Sequence, residues 1–247
     1  MENQDAAFAS TWGAAVADGV GGGPAGDLAS SALLHRLVAG GARVPDADAL
    51  QVRLRGANWD LGAHVRRDPA LSGMATTFTG LWLDTQGGLL LAHTGDSRAY
   101  LMRDGSLMRQ TRDDSYVQNL VDLGIVREED AMTHPRRNII TASLRGYDED
   151  LVRVVECVPV LGDRWLLCSD GISDYLPDAV IADLMSAAGD VHEAADLLVS
   201  TALDAGSRDN VTAVVCDLEP GAPGAEEPVW AGAAADRFAD DFTELTG

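Results

Sequence analysis

The sequence of 247 residues contains no lysine, and all 18 of its basic residues are arginine. This absence excludes a P-loop lysine, a Schiff-base lysine and a serine–lysine nucleophile. The three cysteines, Cys157, Cys168 and Cys216, form no CxxC pair. A disulfide framework or a structural zinc site is therefore not indicated, and a cytoplasmic location is expected. HExxH and GxSxG motifs are also missing, which argues against a zincin site and an α/β-hydrolase nucleophile.

Long apolar runs and positive charge are scarce as well. No run approaches the roughly 20 residues of a membrane-spanning helix, and no signal peptide is expected at the start. The chain has 39 acidic residues and a net charge of -21. Because such a surface repels nucleic acid and anionic lipid, neither is expected as a partner. Hydrophobic residues make up 46% of the chain, which is enough to form a core. We expect the protein to be a monomer.

Hydrophobic spacing and turn residues predict the order of the secondary structure. Strands are predicted over residues 13–17, 76–84, 89–94, 98–103, 151–158, 164–168 and 210–218. Helices are predicted over residues 27–39, 46–66, 114–123, 128–132, 177–188 and 192–205, with Asp27 and Asp190 as N-caps. The strands occur in blocks joined by hairpins, as at Asp104-Gly105. We therefore predict an α+β fold with antiparallel sheets and outer helices rather than a Rossmann fold.

The composition changes near residue 218, where proline, glycine, alanine and acidic residues become frequent. We predict a catalytic domain over residues 1–218 and an acidic C-terminal tail over residues 219–247. A short helix is expected near residues 233–245. Trp230 in this tail is interpreted either as a packing residue or as a docking contact.

Four aspartates lie at the ends of predicted strands, usually beside glycine or asparagine: Asp18, Asp96, Asp170 and Asp209. Two further candidates are Asp5, just before Phe8, and Asp174, four residues after Asp170. Each alone is typical of a turn or a helix cap. If they converge, they form an electronegative pocket whose repulsion a cation must neutralise. Hard divalent ions with oxygen ligands, Mg²⁺ or Mn²⁺, suit such a pocket.

The motifs that contain these aspartates occur in a recognisable order. They are Asn3-Gln4-Asp5, residues 17–22 (ADGVGG), residues 73–77 (GMATT), residues 95–98 (GDSR), residues 169–174 (SDGISD) and residues 207–210 (SRDN). In this order the chain resembles the bacterial metal-dependent serine/threonine phosphatases of the protein phosphatase 2C type over residues 2–218. Residues 112–144 resemble the flap beside the catalytic cleft of that family.

The resemblance implies a four-layer α-β-β-α sandwich of two antiparallel sheets flanked by helices. It implies that Asp18 bridges two ions and that Gly19 adds its carbonyl. Asp170 and Asp209 would hold the first ion, with Asp5 in support, and Asp96 and Asp174 would join Asp170 around a third. Asp18, Asp170 and Asp209 are thus the expected catalytic residues. A metal-bridged hydroxide would hydrolyse phosphoserine and phosphothreonine in phosphorylated protein substrates of a signalling system.

Two departures from the family pattern leave alternatives open. The arginine that usually precedes the Asn-x-Asp motif has no counterpart, so no residue is assigned to the substrate phosphate. Arg98, Arg136, Arg137 and Arg208 are candidates to replace it, or the start is placed too late. Gly23 stands where a histidine is usual, and His134 in the flap is a possible substitute. The alternative function is a weak or inactive pseudophosphatase that acts as a binding module. A calcium-binding structural protein is disfavoured because no DxDxDG loop exists.

Overall fold

The computed structural model describes residues 3–20, 25–41, 43–221, 224 and 227–236. Its strands are β1 (Ala6–Ser10), β2 (Gly13–Ala17), β3 (Gly19–Val20), β4 (Ala75–Thr76), β5 (Phe78–Leu83), β6 (Leu89–Thr94), β7 (Arg98–Arg103), β8 (Ser106–Arg109), β9 (Arg153–Cys157), β10 (Arg164–Cys168), β11 (Ala213–Asp217) and β12 (Val229–Gly232). Its helices are α1 (Gly26–Ala39), α2 (Ala47–Arg67), α3 (Tyr116–Asp122), α4 (Glu128–Ala131), α5 (Asp170–Ser173), α6 (Asp178–Ala187), α7 (Val191–Asp204) and α8 (Ala233–Asp236). None of the helices in these ranges has both the length and the hydropathy needed to cross a membrane.

The strands form two main antiparallel sheets. One has six strands in the order β12-β1-β2-β5-β6-β9, and the other has four in the order β11-β10-β7-β8. β3 and β4 form a separate small pair. The hairpin predicted at Asp104-Gly105 joins β7 to β8, and both residues have positive φ, 52° and 74°. This backbone is the one that a two-residue hairpin turn requires.

Helices cover the outer face of each sheet. α2 begins after Asp46, whose side chain accepts a hydrogen bond from the Ala49 amide at 2.8 Å. Its buried leucines, at positions 50, 54 and 61, recur at helical spacing and join α1 in a core against the six-stranded sheet. α6 and α7 cover the four-stranded sheet. A third cluster, rich in alanine, leucine and valine, lies between the sheets. The predicted four-layer sandwich is confirmed.

Local predictions differ from the structure at three places. α7 is capped by Asp190 as expected, but Asp27 lies inside the first turn of α1 and is not its N-cap. The strand predicted over residues 76–84 is interrupted at Thr77, whose amide donates to the Asp18 carbonyl at 2.8 Å. The last predicted strand begins at Ala213 rather than at residue 210. At Thr77, a hydrogen bond to a distant segment replaces the local strand pattern.

Part of the predicted tail belongs to the six-stranded sheet. β12 pairs with β1, placing Trp230 opposite Phe8. Trp230 also stacks on His35 with ring centroids 3.9 Å apart, and His35 Nε2 lies 2.8 Å from the Ala234 carbonyl. Trp230 is therefore a packing residue of the chain itself. A four-residue strand is too short to show in an average composition, so the tail boundary predicted from composition overlooked it. Residues 237–245 of the predicted helix lie outside the described residues.

Candidate metal centre

Antiparallel pairing brings the predicted aspartates to one end of the sandwich. Asp5 precedes β1 and Asp18 follows β2, and the register of these strands places Ala6 opposite Ala17. The two carboxylates therefore stand at neighbouring strand ends. Such an arrangement follows from hairpin geometry, because the start of one strand adjoins the end of the next.

The second sheet contributes the other aspartates at the same end. In its register Cys168 at the end of β10 lies opposite Arg98 on one side and Ala213 on the other. Asp170 therefore follows β10 close to Asp96, which precedes β7, and to Asp209, which precedes β11. Asp174 is the C-cap of α5, the single turn that begins at Asp170. Asp209 lies at an exposed rim, whereas Asp5 is fully buried.

The electrostatics confirm that these carboxylates are close neighbours. Burial, together with a smaller contribution from the charge of Asp209, raises the pKa of Asp5 to about 6, although Thr212 and Ser169 act to lower it. Burial raises the pKa of Asp170 to about 7, with added repulsion from Asp174 and Asp209. The pKa of Asp18 is raised well above its usual value, first by burial and then by the charge of Asp5. Without a counter-ion the cluster is an unfavourable concentration of negative charge.

The donor set fits hard divalent ions. Both carboxylate oxygens of Asp5 and Oδ1 of Asp170 are buried and accept no hydrogen bond of normal geometry in the described residues, although the side chains of Thr212 and Ser169 lie near enough to Asp5 to lower its pKa. Such orphaned oxygens are costly unless a cation binds them. The ligands are all oxygens, as Mg²⁺ and Mn²⁺ prefer. Within the described ranges, no group of three or more His, Cys, Asp or Glu side chains is arranged so that it could hold a metal ion as it stands.

Two glycines let the chain segments of the centre approach. A Cβ on Gly19 would lie 2.4 Å from the Gly26 carbonyl oxygen and 2.8 Å from that of Gln4. A Cβ on Gly171 would lie 2.0 Å from the Asn210 carbonyl oxygen. Both positions therefore exclude any side chain. The second contact brings the Asp170 turn against the segment that contains Asp209.

Sequence reasoning assigned no role to the hydroxyl side chains beneath the aspartates. The Thr76 hydroxyl donates to the Asp18 carbonyl at 2.9 Å, and the Thr77 hydroxyl accepts from the Asp18 amide at 3.0 Å. Both threonines are buried. Their place in the motif of residues 73–77 could have indicated this role in the sequence, because buried hydroxyl groups need polar partners.

The flap contacts the centre through Arg137. Residues 112–144 contain α3 and α4, close to the predicted helices. Arg137 Nε lies 2.9 Å from Oδ2 of Asp174, while the Arg136 guanidinium lies 5.6 Å from the ring centre of Tyr116. Arg137 is thus the flap arginine that meets a site carboxylate.

The remaining candidates are placed as follows. Arg98 pairs with Asp113 at 2.8 Å, and Arg208 is exposed. His134 Nδ1 accepts the Arg136 amide hydrogen at 3.1 Å within the flap. Gly23 lies outside the described residues. Among the described residues, no hydrogen bond or ion pair joins Arg208 or His134 to the aspartates of the centre, whereas the charge of Arg98 lowers the pKa of Asp174.

Comparison with known proteins places this architecture in a family. The family model for protein phosphatase 2C matches residues 1–205. The serine/threonine protein phosphatase PstP of Mycobacterium tuberculosis is 39% identical over 236 residues, which cover 94% of this chain and 45% of that protein. This chain therefore spans less than half the length of that relative. The serine/threonine phosphatase stp of Listeria innocua is 31% identical over 211 residues, 82% of either chain.

Solved structures agree with the sequence relatives. The catalytic domain of PstP, in complex with two manganese ions, superposes with a TM-score of 0.80 at 37% identity and covers 89% of this chain and 93% of that one. By sequence over most of its length and by fold, this chain belongs to the protein phosphatase 2C family.

Proposed function

We propose that the chain is a metal-dependent phosphatase that hydrolyses phosphoserine and phosphothreonine in proteins. The observation that carries this proposal is the cluster of buried aspartates with orphaned oxygens at one end of the sandwich. The family membership of the chain and the two manganese ions of the PstP catalytic domain support it.

We assign the ligands residue by residue. Asp18 bridges two ions, with the Gly19 carbonyl beside it, and Asp170 and Asp209 complete the first site. Asp5 supports the pair through its buried carboxylate. Asp96 and Asp174 join Asp170 at a third, weaker site. The raised pKa values of Asp5 and Asp170 support this assignment, because a bound cation offsets the burial and the repulsion that raise them.

The chemistry needs no nucleophile from the protein. Divalent ions in this centre supply an activated water and offset the charge that develops on the phosphoryl group. The residues of the chain hold this arrangement rigid: Thr76 and Thr77 fix the backbone of Asp18, and Gly19 and Gly171 allow the close approach of its neighbours. Arg137 is the cation placed to face an anionic substrate next to Asp174.

Partners and setting are part of the same proposal. The net charge of -21 disfavours nucleic acid and anionic membranes, which leaves phosphorylated proteins as the partners. The relatives named above are bacterial, in keeping with a bacterial signalling enzyme. A cytoplasmic, monomeric enzyme remains our proposal, supported by three unpaired cysteines.

Phosphate release from a phosphothreonine peptide tests the function. We expect turnover with Mn²⁺ and none after chelation with EDTA. The pseudophosphatase alternative predicts Mn²⁺ binding, measured by calorimetry, without release of phosphate. Absence of both binding and turnover would refute the metal centre itself.

A further inference from the structure

A buried line of polar side chains runs from the Asp18 backbone to the base of the flap. Its members are Thr77, Thr79, His93 and Ser97, all at most 4% exposed. Thr77 lies between β4 and β5, Thr79 lies on β5, His93 lies on β6, and Ser97 follows Asp96 in the turn before β7. Buried polar groups are retained where each has a partner, and here the partners join segments that are distant in sequence.

The first half of the line contacts the chain segments that contain Asp18 and Asp96. The Asp18 amide donates to Thr77 Oγ1 at 3.0 Å, and Thr77 Oγ1 lies 2.8 Å from Ser97 Oγ. Ser97 directly follows Asp96, and its carbonyl accepts from Thr79 Oγ1 at 2.9 Å. The backbone of Asp18 and the turn of Asp96 are therefore tied to the same strand.

The second half passes through His93. Its Nδ1 lies 2.9 Å from Thr79 Oγ1, and its Nε2 lies 3.0 Å from the carbonyl oxygen of Arg112. A carbonyl only accepts, so Nε2 carries a hydrogen and donates to Arg112. Arg112 is the first residue of the flap segment. His93 thus contacts β5 through Nδ1 and the start of the flap, which we call the flap root, through Nε2.

Charged groups around the ring include Asp113, Asp114 and Arg153. Burial lowers the pKa of His93, the two aspartates oppose this effect, and Arg153 adds to it. The ring is therefore neutral at pH values above its usual pKa of about 6.5, with its hydrogen on Nε2. In this form Nδ1 can only accept, so the single hydroxyl hydrogen of Thr79 is shared between Nδ1 and the Ser97 carbonyl oxygen. The link to the flap then holds across the neutral pH range.

We propose that His93 is a positioning residue that fastens the flap root to the loop of Asp96 and, through Thr79, Ser97 and Thr77, to the backbone of Asp18. Flap placement and metal-centre geometry are coupled through this line. The kinetic consequence rests on the proposed phosphatase function, whereas the mechanical consequence does not.

Local hydrogen exchange tests the mechanical claim in the full chain. The His93→Leu variant removes both ring links, and His93→Gln keeps a donor that can reach Arg112. We expect amides of residues 112–116 to exchange at least about tenfold faster in His93→Leu, relative to core amides of α7, and to stay within about threefold of wild type in His93→Gln.

Thr94→Val provides the matched control. Thr94 neighbours His93 on β6, is 1% exposed, and its hydroxyl has no hydrogen-bond partner in the described part of the chain. This change keeps the shape of the side chain and should leave both flap-root exchange and turnover as they are. With a phosphothreonine peptide, kcat of His93→Leu should fall by about tenfold or more and recover in His93→Gln.

The proposal is overturned if His93→Leu speeds exchange equally at all amides, or no more than Thr94→Val does. If His93→Leu does not fold, His93→Asn replaces it, because its shorter amide keeps a polar group near Thr79 but cannot reach the Arg112 carbonyl. Exchange of residues 112–116 that is no faster in this variant than in Thr94→Val also overturns the proposal. If the wild-type protein shows no turnover but His93→Leu speeds exchange at residues 112–116, the phosphatase function is refuted and the proposed coupling stands.

Discussion

Asp18 lies in strong electrostatic conflict with its neighbours. Its pKa is raised by burial and then by the charges of four other aspartates. In the role that we propose for it, this carboxylate is unfavourable in the metal-free protein and required in the metal-bound one. Removing its charge should therefore have opposite effects on stability and on activity.

For Asp18→Asn we expect phosphatase activity to fall by at least about 10³-fold, because the bridging carboxylate is lost. The metal-free variant should melt at or above the temperature of the wild type, since a like charge is removed. Asp104→Asn makes the same change in the β7–β8 hairpin, where asparagine tolerates positive φ, and should alter neither property. Substantial turnover in Asp18→Asn would contradict its assignment.

Arg137 offers a second test at this scale, since its guanidinium neutralises the carboxylate that we assign to the third ion. In Arg137→Gln we expect the Mn²⁺ concentration for half-saturation of the weakest site to fall by about two- to tenfold, because a competing cation is gone. Calorimetric titration measures this directly. Arg136→Gln changes the neighbouring arginine, which faces Tyr116, and should leave the titration unaltered. An equal shift in both variants would mean that only the net charge matters.

At the scale of elements, the short segments β12 and α8 help to fix the position of Asp5 and of the first strand. The Ala233 amide donates to the Asp5 carbonyl at 2.8 Å, immediately before β1 begins. The same segment brings Trp230 to within 5.6 Å of the Phe8 ring centre. The last strand therefore supports the position of a site carboxylate from outside.

Ending the chain after Pro220 should lower the unfolding free energy by about 3 kcal/mol or more, because the Trp230 contacts and a sheet edge are lost. Activity should fall with it, since Asp5 loses its neighbour. The composition-based interpretation as an independent tail predicts no change. Thermal unfolding measurements decide between the two. The control is a chain that ends after Asp236 and therefore keeps β12 and α8.

Helices and strands were predicted well where the buried residues recur at a regular spacing along the chain or where a cap lies next to the helix. The leucines of α2 and the cap at Asp190 are examples, because each depends on residues within a few positions. β12 was missed because only its partner β1 makes four residues into a strand. The interruption at Thr77 was missed for a related reason: its amide bonds to Asp18, 59 positions away from it.

For the whole molecule, the raised pKa values make stability depend on pH and on metal. Asp5 and Asp170 have folded-state pKa values of about 6 and about 7 against 3.8 in the unfolded chain. Between these limits the folded state binds more protons than the unfolded state, so its stability decreases as pH rises. The favourable contribution is complete below about pH 4 and is lost as pH passes about 7.

In EDTA we therefore expect the melting temperature to drop by at least about 5 °C between about pH 5.5 and pH 8. Mn²⁺ at about a hundred times its Kd should restore about 2.7 kcal/mol at the higher pH, and less at the lower, where protons compete for the carboxylates. Scanning calorimetry at both pH values measures this. Equal stability in EDTA at the two pH values would show that the carboxylates do not repel one another.

The sequence by itself determined the order of elements, the fold class and the six aspartates, because helical periods, turn residues and short motifs are local properties of the chain. The tertiary structure alone decided which of these residues meet. The pairing of Arg137 with Asp174, the line from Asp18 through His93 to Arg112, and the closing of the sheet by β12 each join segments far apart in sequence. Such contacts depend on how the layers pack, and no local pattern contains that information.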